Sequence, residues 1–229
     1  MRTSDVDILL LPGWAGSSPD HWQSRWERSL KTARIVVQED WYRPEKDSWV
    51  SRIVEAARRA TRPVVLVAHG SGVAAAVHAA PALAGLNVIG AYLVAPADLE
   101  DPNALPEKHF GFLPLPLERL PFPAVVVASS SDPFCSLERA RAFAEAWGAA
   151  FVPAGDAGQN SSAPVDDFAH HIVYGHLRRI ENPGAFGHDQ GGHRAIAIHF
   201  IPCRQIGDDP LQGDVRPGFQ HFAVAAPGA

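Results

Sequence analysis

The chain has 229 residues, of which 46% are hydrophobic and 20% are charged, and its formal net charge is -5. This composition is ordinary for a soluble globular domain with one sizeable core. The sequence has no basic cluster that could follow a phosphate backbone, and no apolar run approaches the roughly 20 residues that a membrane-spanning helix needs. We therefore expect neither a nucleic-acid partner nor a membrane partner.

The amino terminus and the cysteines indicate the compartment. Residues 1–7 lead into a short apolar run, without the basic segment and the long apolar segment of a secretory signal. Cys135 and Cys203 are too few for a disulfide framework and lack the paired spacing of a zinc site. We expect a cytoplasmic protein with reduced thiols.

Short β-like runs alternate with amphipathic helical runs as far as Trp147. The predicted strands are Asp7–Leu11, Arg34–Gln38, Pro63–Ala68, Val88–Val94 and Ala124–Ser129. Four helices are predicted. The first is capped by Ser18 and turns Trp22, Trp26 and Leu30 inward, and the second is capped by Asp47 and turns Trp49, Ile53, Val54 and Ala57 inward. The other two are Gly72–Leu83 and Leu137–Trp147. This alternation predicts an α/β fold of three layers, α/β/α, with a central and mostly parallel sheet.

The composition changes near residue 160. All six Trp lie at or before Trp147, whereas seven of the eleven His lie after residue 163. We therefore predict an α/β domain over residues 1–162 and an atypical, partly disordered tail rich in Gly, His and Pro over residues 163–229. Within the tail, the β-branched alternation of Ile196–Ile201 predicts a docked strand or extended segment. His188, His193 and His199 could be imagined as metal ligands, but their spacing matches no ligand pattern.

The turn after the predicted central strand is the main candidate for chemistry, because open parallel sheets bind ligands at the carboxyl ends of their strands. Ala68-His69-Gly70-Ser71-Gly72 has the strand, tight turn and helix of a nucleophile elbow of the G-x-S-x-G type. In that motif the third residue carries the nucleophile, and here it is Gly70. Ser71 is the fourth, whose backbone N–H normally faces the reacting carbonyl.

The sequence also contains a set of short segments that together are specific: Leu11-Pro12-Gly13-Trp14, Pro19-Asp20-His21-Trp22, Asp40-Trp41, Pro63 to His69, Val94-Ala95-Pro96, Pro121-Phe122-Pro123 and Ser130 to Ser136. Through these segments, over about residues 6–160, the sequence resembles the α/β-hydrolase-fold serine hydrolases of the retinoblastoma-binding protein 9 and YdeN type. Family members usually carry A-H-S-L-G at the elbow and A-G-H-I-N before the last helix.

The resemblance implies hydrolysis of a small ester or amide through an acyl-serine, without a metal or cofactor. It assigns the triad acid to Asp132, the nucleophile position to Gly70 and the base position to Gln159. It places an oxyanion hole at the backbone N–H groups near Gly13, Trp14 and Ser71, with His69 at the substrate-binding edge. Glycine has no hydroxyl, and a Gln amide accepts no proton at neutral pH, so the two altered positions imply reduced or lost activity.

Several alternatives remain open at this stage. The chain could be a non-catalytic binding protein, a pseudo-hydrolase that uses the same cleft, lined by Trp14 and the loop 110–123. Ser71 either serves as a surrogate nucleophile or only contributes its N–H group. The string Gly70 to Ala75 also fits the dinucleotide fingerprint G-x-G-x-x-A, although the acidic residue expected about 20 positions later is missing. A protein partner is compatible with the sequence, which does not identify one.

Overall fold

The computed structural model describes residues 3–101 and 111–158. In this part of the chain, the strands form one parallel sheet in the order β2-β1-β3-β4-β5-β6. The strands are β1 Asp7–Leu11, β2 Ala33–Ile35, β3 Val64–His69, β4 Val88–Val94, β5 Ala124–Ala128 and β6 Ala150–Pro153. The helices are α1 Trp22–Ser29, α2 Lys46–Arg59, α3 Ser71–Leu83 and α4 Leu137–Trp147, preceded by a 3-10 turn at Thr3–Asp5.

Helices cover both faces of the sheet, which confirms the predicted three-layer α/β/α arrangement. The inward residues of α2, α3 and α4 share one buried cluster with the side chains on one face of the sheet, and α1 packs on the other face through Trp22 and Trp26. β3 lies within the sheet rather than at an edge, as predicted from its uninterrupted apolar run. Burying each large side chain of this core contributes about 1.5–3 kcal/mol.

The first helix begins later than predicted. α1 starts at Trp22, and its N-cap is the imidazole of His21, whose Nδ1 accepts the N–H of Gln23 at 3.1 Å. The predicted cap, Ser18, lies in the preceding turn, where its carbonyl accepts the N–H of His21 at 3.0 Å. The prediction was wrong because it relied on the usual hydroxyl caps and placed His21 inside the helix.

Smaller differences affect the ends of other elements. β2 ends at Ile35 rather than residue 38, and Val37 beyond it is exposed. The α2 cap is Glu45, which accepts the N–H of Ser48 at 2.9 Å, and Asp47 lies in the first turn. β6 was not predicted; it is a strand of four residues, and its signal in the sequence is the pair Phe151-Val152.

The strand order places a crevice at one end of the sheet. β1 lies between β2 and β3, so the connections after β1 and β3 lead to opposite sides of the sheet. Ligands of open α/β sheets bind at such a reversal, outside the carboxyl ends of the strands. The loops that follow Leu11 and His69 are therefore the expected position of a ligand-binding site.

The opposite end of the sheet is held by the buried carboxylate of Asp7. It accepts the N–H groups of Thr61 and Arg62 and pairs with the guanidinium groups of Arg34 and Arg62. Burial would raise the pKa of Asp7, but these hydrogen bonds and the Arg34 charge outweigh it and lower the pKa. The carboxylate thus ties together the starts of β1, β2 and β3.

Several expectations fall on residues that the structure does not describe. Among them are the boundary between residues 162 and 163, the docking of Ile196–Ile201 and the base position at Gln159. Among the helices of residues 3–101 and 111–158, none is long and apolar enough to cross a membrane.

Candidate active site

A single residue, Gly70, makes the turn between β3 and α3. Its φ of 55° and ψ of -126° lie in a region that is open to glycine and strained for other residues. Its N–H donates to the carbonyl of Val94 at 3.1 Å, and its carbonyl accepts the N–H of Val73 at 3.0 Å. The chain thus has the sharp strand-to-helix turn of a nucleophile elbow, with no side chain at the apex.

The loop after β1 lies directly against this turn. A Cβ on Gly13 would lie 2.9 Å from the carbonyl oxygen of His69 and 3.0 Å from the backbone nitrogen of Ser71. A Cβ on Gly72 would lie only 2.2 Å from the carbonyl oxygen of Leu11. The backbone of the loop after β1 therefore packs directly on the backbone of the turn and of α3. Gly13 and the N–H of Ser71 lie next to each other beside Gly70.

Ser71 is the first residue of α3 and is buried, with 6% of its surface exposed. At a helix N-terminus its N–H has no partner within the helix and carries part of the positive end of the helix dipole. This environment suits an N–H group that attracts a carbonyl oxygen. The Ser71 hydroxyl belongs to the residue one position beyond the apex of the turn.

The acid candidate, Asp132, lies in the loop after β5. Its Oδ1 accepts the N–H of Phe134 at 2.8 Å, whereas its Oδ2 is buried without a hydrogen-bond partner among the described residues. Burial raises the pKa of Asp132 to about 6, against the lowering effect of the Phe134 hydrogen bond. A buried oxygen without a donor is the kind of acceptor to which a triad histidine donates.

His69 lies beneath the turn, on the α1 face of the sheet. Its ring centroid is 5.0 Å from that of His21 and 6.0 Å from that of Trp22. Burial, and then the nearby His69, lowers the pKa of His21 to about 3, so His21 caps α1 as a neutral imidazole. A cavity of about 20 Å³ lies beside His69, lined also by Trp22, Ser129, Gly158 and small apolar side chains.

The last predicted site residue, Gln159, lies just outside the described ranges, so its side chain is not placed. Gly158 is the last described residue. Its φ of 60° turns the chain, and its N–H donates to Oγ of Ser131 at 2.9 Å. The described chain therefore ends at Gly158, beside the residue that precedes Asp132.

Trp14 was expected to line the cleft, but its contact with Tyr42 was not predicted. Trp14 and Tyr42 are both partly exposed, and their rings meet edge to face at 5.9 Å. The indole Nε1 of Trp14 donates to the carbonyl of Tyr42 at 3.0 Å, and Oδ1 of Asp40 accepts the N–H of Tyr42 at 2.8 Å. The only signal in the sequence was the Asp40-Trp41 pair just before Tyr42.

The two glycines of the candidate dinucleotide fingerprint have another explanation. Gly70 supplies the positive φ of the turn, and Gly72 allows α3 to touch the backbone of β1. Their spacing therefore gives no separate indication of dinucleotide binding. Within the described part of the chain, no group of three or more His, Cys, Asp or Glu side chains could hold a metal ion.

A parallel sheet flanked by helices, with a sharp turn between β3 and α3, is the arrangement of the α/β-hydrolase fold. The family model of serine hydrolases matches residues 8–163. The chain belongs to this serine hydrolase family.

Solved structures agree with this assignment. A YdeN-like hydrolase from Pectobacterium atrosepticum is 32% identical, with a TM-score of 0.63 over 78% of this chain and 90% of that one. The ydeN gene product of Bacillus subtilis is 18% identical, with a TM-score of 0.52 over 67% and 87% of the two chains. Est1E from Butyrivibrio proteoclasticus is 13% identical, with a TM-score of 0.59 over 77% and 88%. The latter two show the fold alone, and a search of the curated proteins found no match.

Proposed function

We propose that the chain binds a small ester or amide in the cleft of a serine hydrolase and hydrolyses it weakly, without an acyl-serine intermediate. One observation carries this proposal: the apex of the elbow is Gly70, at φ 55° and ψ -126°, and the adjacent Ser71 is buried in the first turn of α3. No hydroxyl is therefore presented at the position where acyl transfer begins.

The remaining groups support binding of a carbonyl compound. The N–H of Ser71 and the loop at Gly13 lie together at the N-terminus of α3, where a developing negative charge on oxygen is stabilised. In a serine protease stripped of its triad, the oxyanion hole and substrate binding still give about 10³–10⁴-fold acceleration over water. We expect the same class of residual, water-driven hydrolysis here.

In this proposal Asp132 keeps the place of the triad acid and Gln159 occupies the place of the base. A glutamine amide can donate an N–H to a carboxylate, so it can satisfy an acceptor such as Oδ2 of Asp132. It cannot take a proton from a serine or from water. The two altered positions thus remove both halves of nucleophile activation while the acid is kept.

A second candidate is a pseudo-hydrolase that binds the same compounds without any turnover. The burial of Ser71 favours this candidate, since the serine next to the apex is only 6% exposed. The proposed residual hydrolysis and pure binding differ only in whether water attacks the bound carbonyl.

Hydrolysis of 4-nitrophenyl acetate and binding of acetanilide, a stable amide, test the proposal together. We expect acetanilide to bind, and the ester to be hydrolysed above the buffer rate without a burst of nitrophenol. Binding with no hydrolysis would support the pseudo-hydrolase. A burst equal to the protein concentration would contradict both candidates, because it requires a covalent acyl-enzyme.

A further inference from the structure

Two aromatic rings lie exposed in the loops at the carboxyl end of the sheet. Tyr42 is 66% exposed and Trp14 is 38% exposed, and their rings meet at an interplanar angle of 87°. Aromatic side chains gain free energy when their surface is removed from water, so two exposed rings in contact are a candidate for ligand binding.

Hydrogen bonds fix the pair in place. The indole Nε1 of Trp14 donates to the carbonyl of Tyr42 at 3.0 Å, and the N–H of Ala15 donates to the carbonyl of Trp41 at 2.8 Å. Ala15 has a φ of 66°, in the left-handed region that favours glycine. A backbone of this kind persists where the surrounding contacts enforce it, and such positions cluster at sites that hold ligands. The two loops therefore present the rings in a fixed arrangement.

The strand order places these rings next to the turn at Gly70. Tyr42 lies in the loop after β2, Trp14 in the loop after β1 and Ser71 directly after β3, and β1 lies between β2 and β3. Neighbouring strands are about 4.8 Å apart, so the ends of β2 and β3 are about 10 Å apart. Gly13, which precedes Trp14, contacts the turn, since its Cβ would lie 3.0 Å from the nitrogen of Ser71. A compound whose carbonyl faces the N–H of Ser71 can therefore reach the rings with one ring of its own.

We propose that Trp14 and Tyr42 bind an aromatic ring of the substrate, so that the preferred compounds are small aryl esters or amides. This inference rests on the proposed function, which supplies the carbonyl end of the same ligand. Aromatic rings attract each other in edge-to-face and offset arrangements beyond the effect of buried area, and a saturated ring of the same size lacks this attraction. Because the rings are already held in place, little conformational entropy is lost when a ligand binds.

Two pairs of stable amides test the preference by NMR titration of the full chain. Acetanilide is compared with N-cyclohexylacetamide, and benzamide with cyclohexanecarboxamide, so that each pair keeps the amide and changes only the ring. We expect the aromatic member of at least one pair to bind more tightly by about 2-fold to 10-fold. The pair that shows the preference identifies the side of the amide on which the ring lies.

The contribution of the tyrosine is tested with the same compounds. We expect Tyr42→Ala to abolish the preference and Tyr42→Phe, which keeps the ring, to retain it. Both variants keep the backbone groups of residue 42 that bond to Asp40 and Trp14. Val37→Ala is the matched control, because Val37 is also exposed in the connection between β2 and α2 and the preference should not change. Thermal unfolding of each variant shows that it is folded before its titration is used.

The outcomes separate this inference from the proposed function. If the aromatic and saturated members of both pairs bind equally, or if the preference persists in Tyr42→Ala, the rings do not bind the substrate. The proposed function stands in that case, because the amides still bind. If none of the four amides binds, the cleft does not take a carbonyl compound, and the proposed function fails together with the inference.

Discussion

Restoring the two altered positions should recover acyl transfer only when both are changed. Gly70→Ser supplies the hydroxyl at the apex, and Gln159→His supplies the base that removes its proton. Without a base the new hydroxyl stays protonated, and without the hydroxyl the base has nothing to activate. The expected gain is therefore strongly non-additive, as it is for triad residues that act as a unit.

The size of the effect follows from the geometry. In a serine protease, loss of the nucleophile or the base costs about 2 × 10⁶ in kcat, which is the most that the double variant could regain. Because position 159 must be correct to about 1 Å, we expect a gain of at least about 10²-fold rather than the full amount. A serine at φ 55° and ψ -126° should cost about 1–3 kcal/mol of stability, or about 2–12 °C in Tm.

Initial rates of 4-nitrophenyl acetate hydrolysis for the parent, both single variants and the double variant form a complete cycle. We expect near-parent rates for the singles and a burst followed by faster turnover for the double. If Gly70→Ser alone matches the double, another histidine already serves as base, for example His170 or His171, which lie outside the described residues. A folded double variant with the parent's rate would refute the site assignment.

Further predictions concern stability and its pH dependence. Gly72→Ala should lower the free energy of unfolding by about 1–3 kcal/mol, measured with denaturant, because its Cβ would lie 2.2 Å from the carbonyl oxygen of Leu11. Gly90→Ala is the control, since its Cβ would meet only one atom, at 3.5 Å. Equal losses for the two variants would contradict the close packing at Gly72. The folded pKa of Asp132, about 6, lies above the ordinary 3.8, so this carboxyl makes stability fall as pH rises between those values. Asp132→Asn should flatten that fall, and unchanged Tm profiles from pH 4 to 7 would disprove the burial effect. The folded pKa of His21, about 3, lies below the ordinary 6.5, so its contribution is lost as pH falls through this range. His21→Asn, which keeps a capping side chain, should remove this acid sensitivity, and equal sensitivity in both proteins would contradict it.

The spacing of apolar residues predicted most strands and helices because burial in the core determines that spacing. The alternation of apolar runs located β1 and β4 at the residues where they occur, and α4 as well, since burial of one face sets their period. The predictions were wrong where a few hydrogen bonds determine where an element begins or whether it forms. His21 caps α1 with an imidazole, and β6 is a strand of four residues that depends on its pairing with β5.

The candidate site also has one part that the sequence could predict and another that it could not. The turn at Gly70 could be predicted because a strand, a turn and a helix follow one another in sequence. The contact of Trp14 with Tyr42 and that of Ser131 with Gly158 join residues 28 and 27 positions apart. Such contacts depend on how the loops meet at the sheet edge, and no local pattern encodes them.

The most direct test of the central claim is labelling with a fluorophosphonate, which reacts covalently with an activated serine. The intact protein is incubated with the probe and read by mass spectrometry, with the Gly70→Ser, Gln159→His double variant as the positive control. We expect no labelling of the unsubstituted chain and labelling at residue 70 of the control. Stoichiometric labelling of the unsubstituted chain at Ser71 would contradict it, because the nucleophile would then stand one residue beyond the turn.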